Sequence, residues 1–364
     1  MTNMLTIRCK NNHSKISVPF GSSLYDVYQK TGLQMDFGPI AATVNNKVQG
    51  MNYRFYNNKD VLFLSLQSPS GMYTYSRTLF FVLAKAVEDL YPSAQLIIGD
   101  CVSRGFYCEL HTGEAVTHQM VENIRRRMQE IIDADMPIRR IQCPIEEAIS
   151  MFQSKGMTSK VQLLESQNNL YTYYYQLDQT VDYFYGCLLT RTGLLHLFDL
   201  MPFYDGLLLR IPMIKNPALL EPLTPQDKML DVMREHRKWQ NILGIRTVGE
   251  FNQMVLKGES TQLINVSEAL QDKKLSNIAD EIAERGAKLV LIAGPSSSGK
   301  TTTAKRLAIL LMACVLRPHT LSTDDYFVNR VDTPKDENGE YDFECIGAVD
   351  TDFFNQQMNA LLQG

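Results

Sequence analysis

Apolar and polar residues alternate with period two at 4–8 and 15–18, which predicts two β-strands joined by the turn-forming run Lys10-Asn11-Asn12-His13. Ser22 or Ser23 caps a short helical pattern (Leu24, Val27, Tyr28) that ends near Gly32. Residues 41–44, the Asn45-Asn46 turn, Val48 and 61–64 supply further strands. The period lengthens to that of a helix over 76–90, where Leu79, Val82, Leu83, Ala86, Val87 and Leu90 share a face until Tyr91-Pro92 stops it. Strands are predicted at 95–98 and 106–110. A helix over 117–134 follows, capped by Thr117, with Met120, Ile124, Met128 and Ile131 inward. Pro222, Thr224 and Pro225 break the chain before three charged helical stretches at 227–243, 248–256 and 277–285. Then come an apolar run at 288–293, a glycine-bounded loop, a helical pattern (Ala304, Leu307, Ala308, Leu311, Met312, Val315) and a second strand-like run at 319–322.

This order predicts a multidomain chain, α+β in its first part and α/β at its end. We divide it into a β-grasp domain at 1–67, an α+β domain at 68–225, a helical connector at 226–285 and the first part of a P-loop α/β domain at 286–364. The 364 residues allow two or three domains, and 45% hydrophobic residues suffice for their cores. The net charge of −4 makes no demand for nucleic acid. Residues 1–10 lack an apolar segment of the secretory kind, and the longest apolar stretches, 78–87 and 307–315, are too short to span a bilayer. Seven scattered cysteines, none in C-x-x-C spacing, fit reduced thiols in a cytoplasmic protein.

The strongest chemical signal is Gly294-Pro295-Ser296-Ser297-Ser298-Gly299-Lys300-Thr301-Thr302, a G-x-x-x-x-G-K-[ST] pattern between an apolar run and a helix. Inward backbone N–H groups and the positive end of the helix form an anion cradle there. Lys300 brings a charge to the outer phosphates, and the Thr301 hydroxyl is a ligand for Mg²⁺. The expected cofactors are therefore ATP and Mg²⁺; the alternative is an ordinary glycine-serine turn. Ser322-Thr323-Asp324-Asp325-Tyr326-Phe327 follows the second apolar run, which would set a carboxylate pair facing the phosphates. Asp324 or Asp325 then serves as Mg²⁺ ligand or as the base that takes an acceptor proton. The other polar features read two ways. Arg125, Arg126 and Arg127 form a solvated helix face or a phosphate contact. Tyr171, Tyr173, Tyr174, Tyr175, Tyr183 and Tyr185 form a half-buried strand surface or a platform for bases. His111 and His118 are exposed histidines or a metal pair.

Three stretches carry resemblances. Val18-Pro19-Phe20-Gly21-Ser22-Ser23-Leu24, Ala42-Thr43-Val44-Asn45-Asn46-Lys47 and Asp60-Val61-Leu62-Phe63-Leu64 resemble a TGS domain, the ubiquitin-like module at the start of threonyl-tRNA synthetases. Ile97-Ile98-Gly99-Asp100 and Gly105-Phe106-Tyr107 with the following helix resemble the second N-terminal domain of those synthetases, which edits mischarged tRNA. That domain carries H-x-x-x-H and C-x-x-x-H; Tyr75 and Leu79 stand at the first pair here, and Phe184 and Leu188 near the second. Editing chemistry is therefore expected to be absent. The glycine loop, Ser322 to Phe327 and Tyr341-Asp342-Phe343-Glu344 resemble the uridine kinase/phosphoribulokinase family. That resemblance implies Asp324 as base on a ribose hydroxyl, with Phe327 and Glu344 contacting the nucleoside.

The main expectation is thus an ATP-dependent kinase acting on the 5′-hydroxyl of uridine or cytidine. Only about 75 residues follow the start of the apolar run, against roughly 200 for an ordinary domain of this size class, so the kinase part is read as truncated and the chain as inactive. Its uncovered edge and helix faces predict self-association, with a homo-oligomer as one form. The rival expectation is a regulatory protein associated with RNA or tRNA through its first two domains, in which the nucleotide loop is a switch.

Overall fold

The computed structural model describes residues 4–363 and divides into two units, Met1–Lys257 and Gly258–Gly364. The first unit opens with a five-stranded sheet of β1 (Met4–Cys9), β2 (Lys15–Pro19), β3 (Ala41–Val44), β4 (Lys47–Gln49) and β5 (Lys59–Leu64) in the order β2-β1-β5-β3-β4. β1 and β5 run parallel and the other pairs antiparallel, as a β-grasp requires. Alternation puts Ile7, Cys9, Ile16, Val18, Val61 and Phe63 into the core beneath α1 (Leu24–Thr31). Ser23 begins that helix with a capping box: its Oγ accepts from Asp26 N at 3.1 Å, and Asp26 Oδ2 accepts from Ser23 N at 2.7 Å. That backbone hydrogen bond from Ser23 holds the Asp26 carboxyl below its usual range. Asn45 and Asn46 take positive φ in the two-residue β3–β4 turn, which suits their short polar side chains.

The second part of this unit is built around α2 (Pro69–Leu90), a 22-residue helix with 13 buried residues. Ser68 caps it and Pro69 occupies its first position, so it begins earlier than the apolar pattern from residue 76 predicts. Two antiparallel sheets and a helix share its core. One sheet is β10-β9-β8, from β8 (Ile138–Pro144), β9 (Tyr171–Leu177) and β10 (Thr180–Asp182). The other is β11-β12-β7-β6, from β6 (Gln95–Val102), β7 (Gly105–His111), β11 (Asp199–Phe203) and β12 (Gly206–Arg210). The helix α3 (His118–Asp133), capped by Thr117, supplies Val121, Ile124, Met128 and Ile131 to the same core.

One charge sits inside this packing. Lys85, 2% exposed, reaches Asp89 at 3.1 Å and Asp178 at 3.2 Å, and Arg127 adds two bonds to the far oxygen of Asp89. A buried ammonium persists only when paired in this way. The outer face of β8–β9 is covered by α4 (Ile145–Ser154) and α5 (Thr158–Glu165) around Phe152 and Leu164.

The connector expected at 226–285 is divided between the units. Its first helices, α6 (Asp227–Leu243) and α7 (Val248–Leu256), belong to the first unit. α7 lies on α5 at Gly249, where an added Cβ would stand 2.7 Å from Ser159 O. α6 packs Leu230 against Val102, Tyr107 and Leu208, and its Arg237 pairs with Glu109. Arg237 passes over Gly99, whose missing side chain leaves the space.

In the second unit α8 (Ser260–Arg285) packs on α9 (Lys300–Ala313) through Ala279, Leu307 and Leu311, and Arg306 holds Asp272 through two bonds at 2.7 and 3.1 Å. α10 (Thr351–Gln363) completes the unit. The α/β expectation for 286–364 is not met. Residues 288–293 and 319–322 form no strand, and among the described residues the unit contains only the isolated bridges Phe327–Val349 and Lys335–Tyr341. A strand needs neighbours for its N–H and C=O groups, and none of the described residues pairs with these runs. Leu291 is accordingly 80% exposed. No helix among the described residues is long and apolar enough to cross a membrane.

Gly99→Val should lift Arg237 off its seat, since the new Cβ would meet Arg237 Nη2 at 2.6 Å and the Tyr107 carbonyl at 2.9 Å. We expect a loss of about 1–3 kcal/mol and faster amide exchange along Asp227–Leu243; unchanged exchange there would contradict this docking of α6.

Candidate functional site

The loop from Gly294 to Thr302 is the stretch expected to cradle an anion. Ser297 (φ 60°) and Gly299 (φ 86°) both take left-handed angles, and the Ser298 N–H between them donates to Pro295 O at 3.3 Å. Gly294 permits close approach, because a Cβ there would meet Ser298 Oγ at 2.7 Å. Gly299 precedes α9 and provides no side-chain cap, so the first amides of the helix keep their donor capacity. Lys300 folds back and donates to the carbonyls of Gly294 (2.8 Å) and Pro295 (2.9 Å). Pro295, Ser296, Ser298, Thr301 and Thr302 are exposed. The donor set fits a polyphosphate. Thr301 offers one hydroxyl toward Mg²⁺, and no group of three or more His, Cys, Asp or Glu among the described residues could hold a metal.

The carboxylates expected to face this loop stand in a separate turn. Residues Thr323–Tyr326 form a short 3-10 turn capped by Ser322, whose Oγ accepts from Asp324 N at 3.3 Å. Tyr326 anchors it, with its hydroxyl on Gln357 at 2.8 Å and its ring against Phe353 and Phe354. Asp324, Asp325, Phe327 and Glu344 are exposed, and among the described residues no hydrogen bond or ion pair joins them to Lys300 or Thr301.

The four positions aligned with the editing ligands lie in the main core of the first unit. Tyr75, Leu79 and Leu188 are buried there, and Phe184 packs beside them. The Tyr75 hydroxyl donates to Leu197 O at 2.9 Å and accepts from His196 N (3.0 Å) and Leu197 N (2.9 Å). Burial raises its pKa to about 12, so it is neutral at physiological pH and structural in its contacts. The neighbouring turn of α2 seals against the following segment. Thr78 Oγ1 accepts from Leu189 N at 3.0 Å, and Arg77 donates to Cys187 O at 3.0 Å. His111 sits 3.3 Å from Glu109, and His118 is exposed at the start of α3.

The arginine run on α3 is committed to its own surroundings. Arg125 is bidentate on Glu122, Arg126 donates to Asn123, and Arg127 holds Asp89 and Glu130. The tyrosines divide. Tyr175 is buried and Tyr174 packs under α4, whereas Tyr171 and Tyr185 are exposed. The Arg140 guanidinium lies 3.8 Å over the Tyr173 ring, which stacks on Tyr183. An exposed cation over tyrosines is the group the sequence left unmarked, because Arg140 meets Tyr173 only through the β8–β9 pairing.

Comparison with known proteins bears on the first half of the chain. The threonine–tRNA ligase of Clostridium kluyveri is 29% identical over 177 residues, 48% of this chain and 28% of that protein. That of Syntrophomonas wolfei is 29% identical over 199 residues, 54% of this chain and 31% of the ligase. That of Acetivibrio thermocellus is 30% identical over 164 residues, 44% of this chain and 26% of the ligase. The chain thus spans about a quarter to a third of the length of the curated relatives it matches. No family model matches it. The TGS and editing region is threonyl-tRNA synthetase-like. These ligase relatives overturn the reading of the chain as a uridine or cytidine kinase.

Tyr75→Phe should cost about 1–3 kcal/mol, since the amides of His196 and Leu197 lose a buried partner. The wild-type tyrosine, with its raised pKa, contributes stability that is present below about pH 10 and lost as pH rises toward 12. Denaturant titration at pH 7 and pH 11 checks both: the variant should be less stable at pH 7 and lose less on going to pH 11. Equal stability of the two proteins at pH 7 would contradict the anchoring role.

Proposed function

We propose that this chain is a tRNA-associated regulatory protein that binds through its β-grasp and editing-like domains without catalysis, and whose glycine loop answers to nucleotide. The observation that carries the reading is the likeness of half the chain to threonine–tRNA ligases, together with the packed, non-ligating side chains that this chain holds at Tyr75, Leu79, Phe184 and Leu188. Arg140 over Tyr173, with Tyr185 exposed beside Tyr183, gives that region a cation and π faces of the kind that meet unpaired nucleotides. The loop amides, Lys300 and Thr301 would hold ATP with Mg²⁺, whose charge offsets that of the phosphates; Lys300 would leave the Gly294 and Pro295 carbonyls to do so.

Two measurements test this. Affinity for deacylated tRNA should fall steeply with salt, as contacts to phosphates require. It should also change on adding Mg-ATP, by about 5- to 150-fold if the coupling is of ordinary size. Lys300→Ala should abolish the ATP effect while leaving the nucleotide-free affinity in place. Affinity for tRNA no better than for a neutral polymer would overturn the association, and an ATP effect that survives Lys300→Ala would overturn the switch.

A further inference from the structure

The β-grasp domain displays two large aromatic side chains that its own fold does not use. Phe20 is 54% exposed and Tyr56 59% exposed, and their rings meet edge to face with centroids 5.1 Å apart. Isolated exposed apolar residues are ordinary, but an adjacent pair held apart from the core is not. The backbone beneath them is fixed. Gly21 N donates to Phe55 O at 2.8 Å, Phe55 N donates to Ser22 O at 2.9 Å, and Thr6 N donates to Asn58 Oδ1 at 2.8 Å. Phe55, between Arg54 and Tyr56, is fully buried, so it anchors the segment from inside while Tyr56 points out. Gly21 takes φ +85°, the left-handed turn that sets Phe20 opposite Tyr56.

A cation stands beside the pair. Arg54 donates to Gly21 O at 2.8 Å and is otherwise exposed. The nearby Asp26 carboxylate is taken up by the Ser23 cap. The domain as a whole has the sign that suits a polyanion. Residues 1–67 carry seven lysines and arginines against three aspartates and no glutamate, a balance of +4 in a chain of −4. Two preorganised π faces, an adjacent guanidinium and a basic domain match an unpaired nucleotide, with a base on the rings and a phosphate on the arginine.

We propose that Phe20, Tyr56 and Arg54 form a stacking site for an unpaired nucleotide of single-stranded RNA. The inference rests on the tRNA-associated reading for its biological partner, but the site is tested separately. A labelled single-stranded RNA dodecamer and deacylated tRNA are titrated with the full chain across a range of salt. Phe20→Ala and Tyr56→Ala should each weaken dodecamer binding by about 5- to 100-fold without changing the salt slope, and Phe20→Trp should retain binding. Arg54→Ala should weaken it and lower the salt slope by about 0.7. Both aromatic residues are exposed, so melting curves of the variants should match that of the parent. Dodecamer binding indifferent to Phe20→Ala and Tyr56→Ala, or no dodecamer binding at all, would overturn the site. Binding of tRNA that persists while the dodecamer ignores these substitutions sinks the site and leaves the functional reading. A dodecamer that binds through them while tRNA does not bind sinks the functional reading and leaves the site.

Discussion

The packing of α2 is the constraint on which the first unit depends. Its apolar faces carry Leu79, Phe81, Val82, Leu83 and Ala86, and both sheets and α3 close over them in one core. Burying such side chains contributes about 1.5–3 kcal/mol each, so this helix dominates the core it lies in, while the β-grasp sheet keeps a core of its own around Val27, Phe55 and Val61. Its polar residues are used as pins. Tyr75 fixes the chain at His196 and Leu197, Thr78 fixes Leu189, and Lys85 gathers Asp89 and Asp178. The same core reaches back to Ile40 and Leu66 of the β-grasp region.

This packing explains how a domain that resembles an editing module carries none of its ligands. Where the resemblance expects histidines, α2 presents Tyr75 and Leu79 to the interior, and Leu188 is buried with them. Substituents that fill a core and hydrogen-bond to backbone stabilise the fold, but they supply no group that titrates near neutrality. The features proposed for function lie on the outside: Arg140 with its tyrosines, the Phe20–Tyr56 pair and the glycine loop of the second unit.

Much of the first unit was legible because local pattern and tertiary need agree there. Alternation in β1 and β2, the Asn45-Asn46 turn, the Thr117 cap and the stripe on α3 each describe what the structure contains. The first turns of α2 were not legible, since Pro69, Ser70, Gly71 and Tyr73 interrupt the stripe and only the Ser68-Pro69 start marks them. β8 was missed because its partner β9 comes from distant sequence and Arg139-Arg140 disguises it as surface; β11 and β12 are a local hairpin whose outer partner, β7, is distant in sequence. The arginine run on α3 looked available and is paired locally, whereas the positive balance of residues 1–67 was hidden inside the acidic total. The strands expected at 288–293 and 319–322 failed for the opposite reason. Their local pattern is strong, but a strand is a property of its partners, and the described residues provide none.

On the proposed function, the first unit binds tRNA and is neither a catalyst nor a spacer. Amide hydrogen exchange of the whole chain, with and without deacylated tRNA, tests it most directly. Exchange within residues 4–257 is expected to slow on adding tRNA, most around Phe20 and Tyr56 and on the strands that carry Arg140 and Tyr173. No slowing anywhere in residues 4–257, or slowing confined to 258–363, would contradict it.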